Sequence, residues 1–141
     1  MKRVLFTMLV FMAISMSIKA DNDRVITFEQ LPAEAQTVLK THFADKVPLI
    51  ITKDRNDYKV FYQSGEKAEF NKKGAWREIE CKTSAVPEAL VPEQILTNVK
   101  TSFPSAVIIK IDQDRRGYDV KLNNGIELEY NKNFQVVGID D

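Results

Sequence analysis

Two stretches of the chain carry apolar residues at helical spacing, and each is followed by short runs in which apolar and polar residues alternate. Intervals of three and four residues are typical of an amphipathic helix, and alternation is typical of a half-buried strand. The first helical stretch opens at Leu31-Pro32 and the second at Val91-Pro92. Proline suits a first helical turn, where its missing N–H would have no partner. The apolar positions are Leu31, Ala35, Val38, Leu39 and Phe43, then Ile95, Leu96, Val99 and Phe103.

Four alternating runs follow each helix and predict eight strands. Turn residues separate them, most clearly Asn124-Gly125, since Asn-Gly between alternating runs is a strong hairpin signal. The predicted strands are 47–53, 57–63, 66–71 and 75–81, then 107–113, 117–123, 126–131 and 135–139.

The order of elements is repeated because the chain is an internal duplication. A shift of 60 positions aligns residues 31–80 with 91–140 without a gap, and 16 of the 50 pairs are identical. About one pair in fifteen would match by chance, so the repeat is real. We therefore predict an α+β fold in which a helix and a four-stranded antiparallel meander occur twice and form one sheet of about eight strands. Both helices are expected on one face of a single domain, residues 21–141, with repeats at about 25–81 and 85–141.

Alternation sorts the strand residues onto two faces. One face is apolar in both repeats, and we expect the helices to cover it. The other is mostly charged but includes apolar side chains, a composition typical of a protein or ligand contact surface. An equally weighted interpretation is that residues 21–30 or a second copy of the chain cover these apolar residues. The candidate binding residues on this face are Trp76, Phe61 and Ile50, with Lys59, Lys121, Glu69 and Glu129 as a charged rim.

Residues 1–20 have the three-part pattern of a secretory signal peptide. A basic start at Lys2-Arg3 precedes an apolar run to Ile14, and a more polar stretch ends at Ala20. The alternative is a membrane anchor, but the apolar run is shorter than the roughly 20 residues that a span needs. Cleavage would leave 17 basic and 20 acidic residues, a net charge of −3, which argues against nucleic-acid binding. We predict a periplasmic or secreted protein.

Residues that could carry chemistry are few. The single histidine, His42, lies at the end of the first predicted helix and has no nucleophile pattern around it. The single cysteine, Cys81, excludes an internal disulfide and predicts either a small buried residue or an intermolecular partner. Asp54-Arg55 recurs as Asp114-Arg115, which favours a turn-stabilising role. We predict no enzyme activity, no cofactor and no metal site.

The repeated pattern resembles the PepSY-like, β-lactamase-inhibitor-protein-like family of bacterial periplasmic proteins. The resemblance covers residues 25–141 and rests on Pro32, Lys40-Thr41, Phe43, Tyr58-Lys59-Val60, Gly65 and Glu69-Phe70-Asn71, with their copies 60 positions later. It implies one curved sheet with helices on its convex side and a binding surface on its concave side. It also implies a role in inhibiting or regulating peptidases. The disulfides of the namesake inhibitor are absent here.

These observations lead to one main hypothesis and two alternatives. The main hypothesis is a non-enzymatic, exported binding module that docks a protein or peptide on the open sheet face and inhibits an envelope peptidase or other hydrolase. The first alternative is a periplasmic carrier of a small ligand or ion on the same face. The second is a homodimer that forms through the apolar patch.

Overall fold

The computed structural model describes residues 23–141, so the predicted signal peptide lies outside the described residues. Two ten-residue helices, α1 (Ala33–His42) and α2 (Glu93–Ser102), each follow a short 3-10 turn, Phe28–Gln30 and Glu88–Leu90. Nine strands complete the described part of the chain. They are β1 (Arg24–Val25), β2 (Pro48–Lys53), β3 (Asp57–Tyr62), β4 (Lys67–Asn71), β5 (Trp76–Glu80), β6 (Ile108–Gln113), β7 (Gly117–Leu122), β8 (Glu127–Asn131) and β9 (Val136–Asp140).

All nine strands form one antiparallel sheet in chain order, from β1 at one edge to β9 at the other. The predicted architecture of two helix-plus-meander repeats is therefore confirmed, with β1 as an additional edge strand. The junction between the repeats is the pairing of β5 with β6, in which Ile79 lies opposite Ile111. Within residues 23–141, no helix is both long and apolar enough to cross a membrane.

The core lies between the helices and one sheet face. Helix residues Ala35, Leu39, Ile95 and Val99 are buried against strand residues from both repeats. The buried strand residues include Ile51, Val60, Phe70, Ile79, Ile111, Val120, Leu128 and Tyr130. His42 is the last residue of α1, as predicted, and Cys81 is a buried free thiol whose pKa is raised by burial.

Each repeat has two β-bulges, at matching places, and each bulge puts one extra residue into a strand. Leu49 and Ile109 are unpaired in β2 and β6, and Arg77 and Val137 are unpaired in β5 and β9. A bulge reverses the facing of every residue beyond it, because side chains alternate with a period of two. The predicted facing was therefore wrong on one side of each bulge. Pro48 and Ile108 lie on the helix face, and Val47 and Val107 are exposed.

The repeated turn residues have a local structural role. The Asp54 carboxylate accepts a hydrogen bond from the Asn56 N–H at 2.9 Å, and Asp114 accepts one from the Arg116 N–H at 2.7 Å. Such side-chain-to-backbone bonds hold the chain in a turn. They explain the recurrence of aspartate at this position without a functional site.

The two repeats differ in chemistry at one buried position, residue 66 and its counterpart 126. Glu66 is buried, and its carboxylate accepts a hydrogen bond from Ser64 Oγ at 2.5 Å and lies 3.2 Å from Lys46 Nζ. Burial acts to raise the pKa of Glu66, but the Ser64 and Lys46 contacts outweigh it and hold the pKa below its usual range. The second repeat has Ala106 and Ile126 in place of Lys46 and Glu66. The same fold therefore accepts either an ion pair or apolar side chains here.

Candidate binding face

The helices leave one face of the sheet open, and its side chains form two rows that run across the strands. Each row consists of residues directly opposite one another in the strand register. The first row contains Thr52, Lys59, Glu69, Glu78, Asp112, Asp119, Glu129 and Gly138. The second contains Ile50, Phe61, Lys67, Glu80, Lys110, Lys121, Glu127 and Asp140.

Five adjacent carboxylates in the first row form what we call the acidic row. They lie on five consecutive strands, β4 to β8, and each is directly opposite the next. Like charges in this arrangement destabilise a sheet, because directly opposite side chains are only about 5 Å apart. The acidic row consists of Glu69, Glu78, Asp112, Asp119 and Glu129.

Two lysines of the second row neutralise the middle of the acidic row. Lys67 Nζ lies 2.5 Å from a Glu78 carboxylate oxygen and 3.2 Å from one of Glu69. Lys110 Nζ lies 3.4 Å from the other Glu78 oxygen and 3.8 Å from Asp112. Among the described residues, no lysine or arginine nitrogen lies within 4.0 Å of Asp119 or Glu129. The β7–β8 end of the row is therefore left with uncompensated negative charge.

The crowding of carboxylates displaces their pKa values in opposite directions. Burial, together with the hydrogen bond and the charge of Glu78, raises the pKa of Asp112 to about 7. For Glu78, burial is outweighed by contacts from Glu69, Lys67 and Asp112, and its pKa falls to about 2. Burial and the nearby Glu129 also raise the pKa of Asp119. In the pair at the repeat junction, Glu78 thus holds the negative charge and Asp112 holds a proton up to near neutral pH.

The apolar part of the face lies at the opposite end, on β2 and β3. Ile50 and Phe61 are half-buried and directly opposite one another, as predicted for the open face. Lys59 lies on the same strand as Phe61 and opposite Glu69, with 4.0 Å between their charged atoms. These four side chains form one cluster.

The remaining predicted residues lie elsewhere. Lys121 and Glu129 are on β7 and β8, four strands from their counterparts Phe61 and Glu69. At the usual spacing of about 4.8 Å between strands, they are roughly 19 Å away. The predicted rim is therefore not a single ring around an apolar centre.

The assignment of Trp76 to the open face was wrong. The bulge at Arg77 pairs Trp76 with Phe70, a fully buried residue of the helix face, and the half-buried Trp76 ring packs against the core. Val136 occupies the matching position opposite Tyr130. Residue alternation predicted the opposite facing, because it places residues 76, 78 and 80 on one side when no bulge intervenes.

Sequence reasoning missed Glu78 and the acidic row. Glu78 and Glu80 flank the core residue Ile79, and this alternation was enough to place Glu78 on the open face. Its position opposite Asp112 depends on the long-range pairing of β5 with β6, which local patterns do not specify.

One depression on this face is open and lined largely by charged residues. Its volume is about 510 Å³, and its lining includes Lys110, Asp112, Asp119, Lys121 and Glu127. Small-molecule sites of that size are usually lined mainly by apolar and aromatic side chains. The lining here differs from that pattern, because most of its residues are charged.

Comparison with known proteins gives a family and several solved relatives. A family model described as "Putative beta-lactamase-inhibitor-like, PepSY-like" matches residues 16–63 and 56–137. A "putative periplasmic protein" of the DUF2874 family from Bacteroides vulgatus is 43% identical, with a TM-score of 0.84, and the match covers 86% of this chain and 99% of that one. A "putative calcium-regulated periplasmic protein" from Bacteroides thetaiotaomicron is 36% identical, with a TM-score of 0.82 and coverage of 84% and 97%.

A third solved structure is also similar to this chain. It is described as a "putative periplasmic protein of unknown function" from Bacteroides vulgatus and is 30% identical, with a TM-score of 0.79 and coverage of 85% and 100%. No curated protein matches the chain. These similarities agree with the fold and identify no enzymatic family.

Proposed function

The chain belongs to the PepSY-like, β-lactamase-inhibitor-like family, and from this we propose that it is a non-enzymatic binding module of the periplasm. Its partner is a protein or peptide that docks on the open sheet face, and an envelope peptidase or other hydrolase is the class we favour. The three solved relatives are each described as a "putative" periplasmic protein, which supports the location.

The observation that carries the proposal is the open face itself. The helices pack on the other side of the sheet, and every residue of the two rows except the buried Thr52 is half-buried or exposed. The rows contain four lysines and eight carboxylates, so the face has a net formal charge of −4. A broad, charged surface with an apolar corner at Ile50 and Phe61 is suited to a protein partner, with charge guiding the approach and the apolar corner supplying contact area.

A partner with basic groups would also reduce the electrostatic repulsion between carboxylates on the open face. Asp119 and Glu129 lie opposite each other, no described lysine or arginine nitrogen lies within 4.0 Å of either carboxylate, and the pKa of Asp119 is raised. A lysine or arginine placed between them would turn repulsion into attraction. We therefore expect the partner surface to be basic opposite Asp119 and Glu129 and apolar opposite Ile50 and Phe61. Lys59, Lys121 and Glu69 would form polar contacts with it.

The alternative of an ion carrier fits these residues less well. One relative is described as calcium-regulated, but within residues 23–141 no group of three or more His, Cys, Asp or Glu side chains is placed to hold a metal ion. Calcium takes six to eight oxygen ligands. The carboxylates at the middle of the acidic row contact lysines instead. Calcium binding is therefore no part of the proposal.

The test is capture of a partner from an envelope extract with matched charge variants. Asp119→Lys with Glu129→Lys reverses two charges on the open face, and Glu34→Lys with Glu93→Lys makes the same change in charge on the helices, at exposed positions. Phe61→Ala tests the apolar corner. Each protein is immobilised, and retained proteins are compared at low and high salt.

We expect a partner that the wild type and the helix variant retain, that the open-face charge variant loses, and that Phe61→Ala binds more weakly. A captured hydrolase would then be assayed with and without the protein. Equal loss with both charge variants, or no partner for any folded protein, would contradict docking on this face.

A further inference from the structure

Strand β9 ends the sheet with an apolar edge. It pairs with β8 on one side, and in the described part of the chain no strand pairs with its outer side. Val136, Val137 and Ile139 are exposed, Ile139 to 66%. An edge strand with free backbone groups and apolar side chains is a template for another strand.

In the first repeat, the strand that corresponds to β9 is β5, and its outer side is paired with another strand. Ile79 of β5 is the counterpart of Ile139 and is 0% exposed. The outer side of β5 is filled by β6, with Ile111 opposite Ile79 and Lys110 opposite Glu80. The two edges have the same bulge and the same central isoleucine, so the exposure of Ile139 reflects a missing neighbouring strand.

The opposite edge of the sheet is protected in the usual way. β1 has only two residues, Arg24 and Val25, and it pairs with the Thr52–Lys53 end of β2. Very short strands and basic residues commonly protect sheet edges from pairing. β9 has five residues, and no lysine, arginine or proline occurs in residues 135–141. In the described part of the chain, β9 therefore presents a five-residue edge that is free to pair with an added strand.

The side chains around β9 specify the chemistry of the added strand. A Cβ at Gly138 would lie 3.2 Å from Glu129 Oε2, so the Glu129 carboxylate extends over Gly138 towards the edge. Asp140 occupies the position that Glu80 has opposite Lys110. Both open-face positions of an added strand would therefore meet a carboxylate, while its helix-face position would meet Ile139.

We propose that β9 binds an extended segment of a partner protein as an additional antiparallel strand. The segment has an apolar residue opposite Ile139 and basic residues opposite Gly138 and Asp140. This goes beyond the proposed function, because main-chain pairing at the edge does not require the open face to be covered. Backbone hydrogen bonds supply affinity in this mode of recognition, and the alternating side chains supply specificity.

The experiment uses a peptide that copies β6. A fluorescein-labelled peptide with the sequence of residues 107–113 and the change D112K presents lysine, isoleucine and lysine to Asp140, Ile139 and Gly138. Its control carries N-methyl groups on alternate backbone amides, which removes hydrogen bonding along one side. Binding is measured by fluorescence anisotropy with wild-type protein, with Ile139→Lys, and with Val25→Lys as the matched edge control. Val25 and Ile139 are similarly exposed, at 62% and 66%, so both variants are expected to fold.

We expect the wild type and Val25→Lys to bind the peptide equally, and Ile139→Lys to bind it at least about tenfold more weakly. The N-methylated peptide should bind none of the three proteins, and the amide NMR shifts that the unmethylated peptide causes in the wild type should concentrate on residues 136–140. Phe61→Ala should leave peptide binding unchanged, which separates this result from docking on the open face. The proposal is overturned by absent binding, by binding that survives Ile139→Lys or N-methylation, or by self-association of the wild type that Ile139→Lys abolishes.

Discussion

The acidic row predicts an unusual dependence of stability on pH, with Asp112 as the main cause. The pKa of Asp112 rises from 3.8 to about 7 in the folded protein. Between these values the folded state keeps a proton that the unfolded state has lost, so stability falls as the pH rises from about 4 to about 7. Above about pH 7 the full cost of the ionised carboxylate is present.

Glu78 contributes with the opposite sign. Its pKa falls from 4.5 to about 2, so the stability it supplies is complete above about pH 4.5 and is lost as the pH falls towards 2. The two effects together predict greatest stability near pH 4 to 5. Most proteins are instead most stable between about pH 5 and 8.

The substitution Asp112→Asn isolates the first effect. A change in pKa from 3.8 to about 7 corresponds to about 4 kcal/mol if none of it is screened. The Asp112 side chain is 34% exposed and Lys110 lies nearby, so we expect about 1–2 kcal/mol after solvent screening. Asparagine has nearly the same shape and donates a hydrogen bond to Glu78 at every pH. It should therefore stabilise the protein by this amount at pH 8 and change little at pH 4.5.

The measurement is urea unfolding between pH 4 and 8, followed by the fluorescence of the single tryptophan, Trp76. Glu127→Gln is the control, because it removes an exposed carboxylate of the same face outside the acidic row. An Asp112→Asn protein whose stability falls between pH 4.5 and 8 as steeply as the wild type would refute this reasoning. So would an equal gain with Glu127→Gln.

Local patterns were enough to predict most of the fold. The helices, the turns and eight of the nine strands depend on residue spacing and turn chemistry within a few positions of each other. The duplication strengthened each assignment by showing the same pattern twice. β1 was missed because two residues are too few to show alternation.

The facing of residues near bulges could not be predicted in the same way. The run Val47-Pro48-Leu49-Ile50-Ile51 is apolar or proline throughout, so either phase of alternation fits it. The bulge at Arg77 likewise leaves no local sign, and it moved Trp76 from the predicted binding face to the helix face. Ile50, Phe61, Lys59 and Glu69 do lie together on the open face, because β2, β3 and β4 are joined by short turns.

Two further predictions concern stability. Lys46→Ala should destabilise the protein because it leaves the buried Glu66 carboxylate without its cation. The combination of Lys46→Ala with Glu66→Ile copies the second repeat and should restore stability; chemical unfolding that shows additive losses would contradict this. Gly74→Ala should lower the thermal midpoint more than Gly65→Ala, because both have positive φ but only the first places a Cβ against Pro32, at 2.8 Å. Equal losses would show that backbone strain alone matters.

The difference between the two repeats supports the proposed docking on the open face. On the helix face, matching positions keep the same or similar apolar residues, as in Ile51 and Ile111 or Val60 and Val120. Of the eight matching pairs on the open face, only Glu69 and Glu129 are identical. Several of the others reverse charge or exchange an apolar residue for a charged one. These are Lys59 and Asp119, Lys67 and Glu127, Ile50 and Lys110, and Phe61 and Lys121.

Packing explains the first pattern, because both repeats bury the same face against equivalent helices. It does not explain the second, since an exposed sheet face requires only that side chains be soluble and not repel one another. The open face departs from that requirement by placing five carboxylates in one row and by assigning apolar and acidic character to opposite ends. A symmetric ligand would favour similar open-face residues in the two repeats. An asymmetric surface of this kind fits one extended partner that contacts β2 and β3 with apolar groups and β7 to β9 with basic ones.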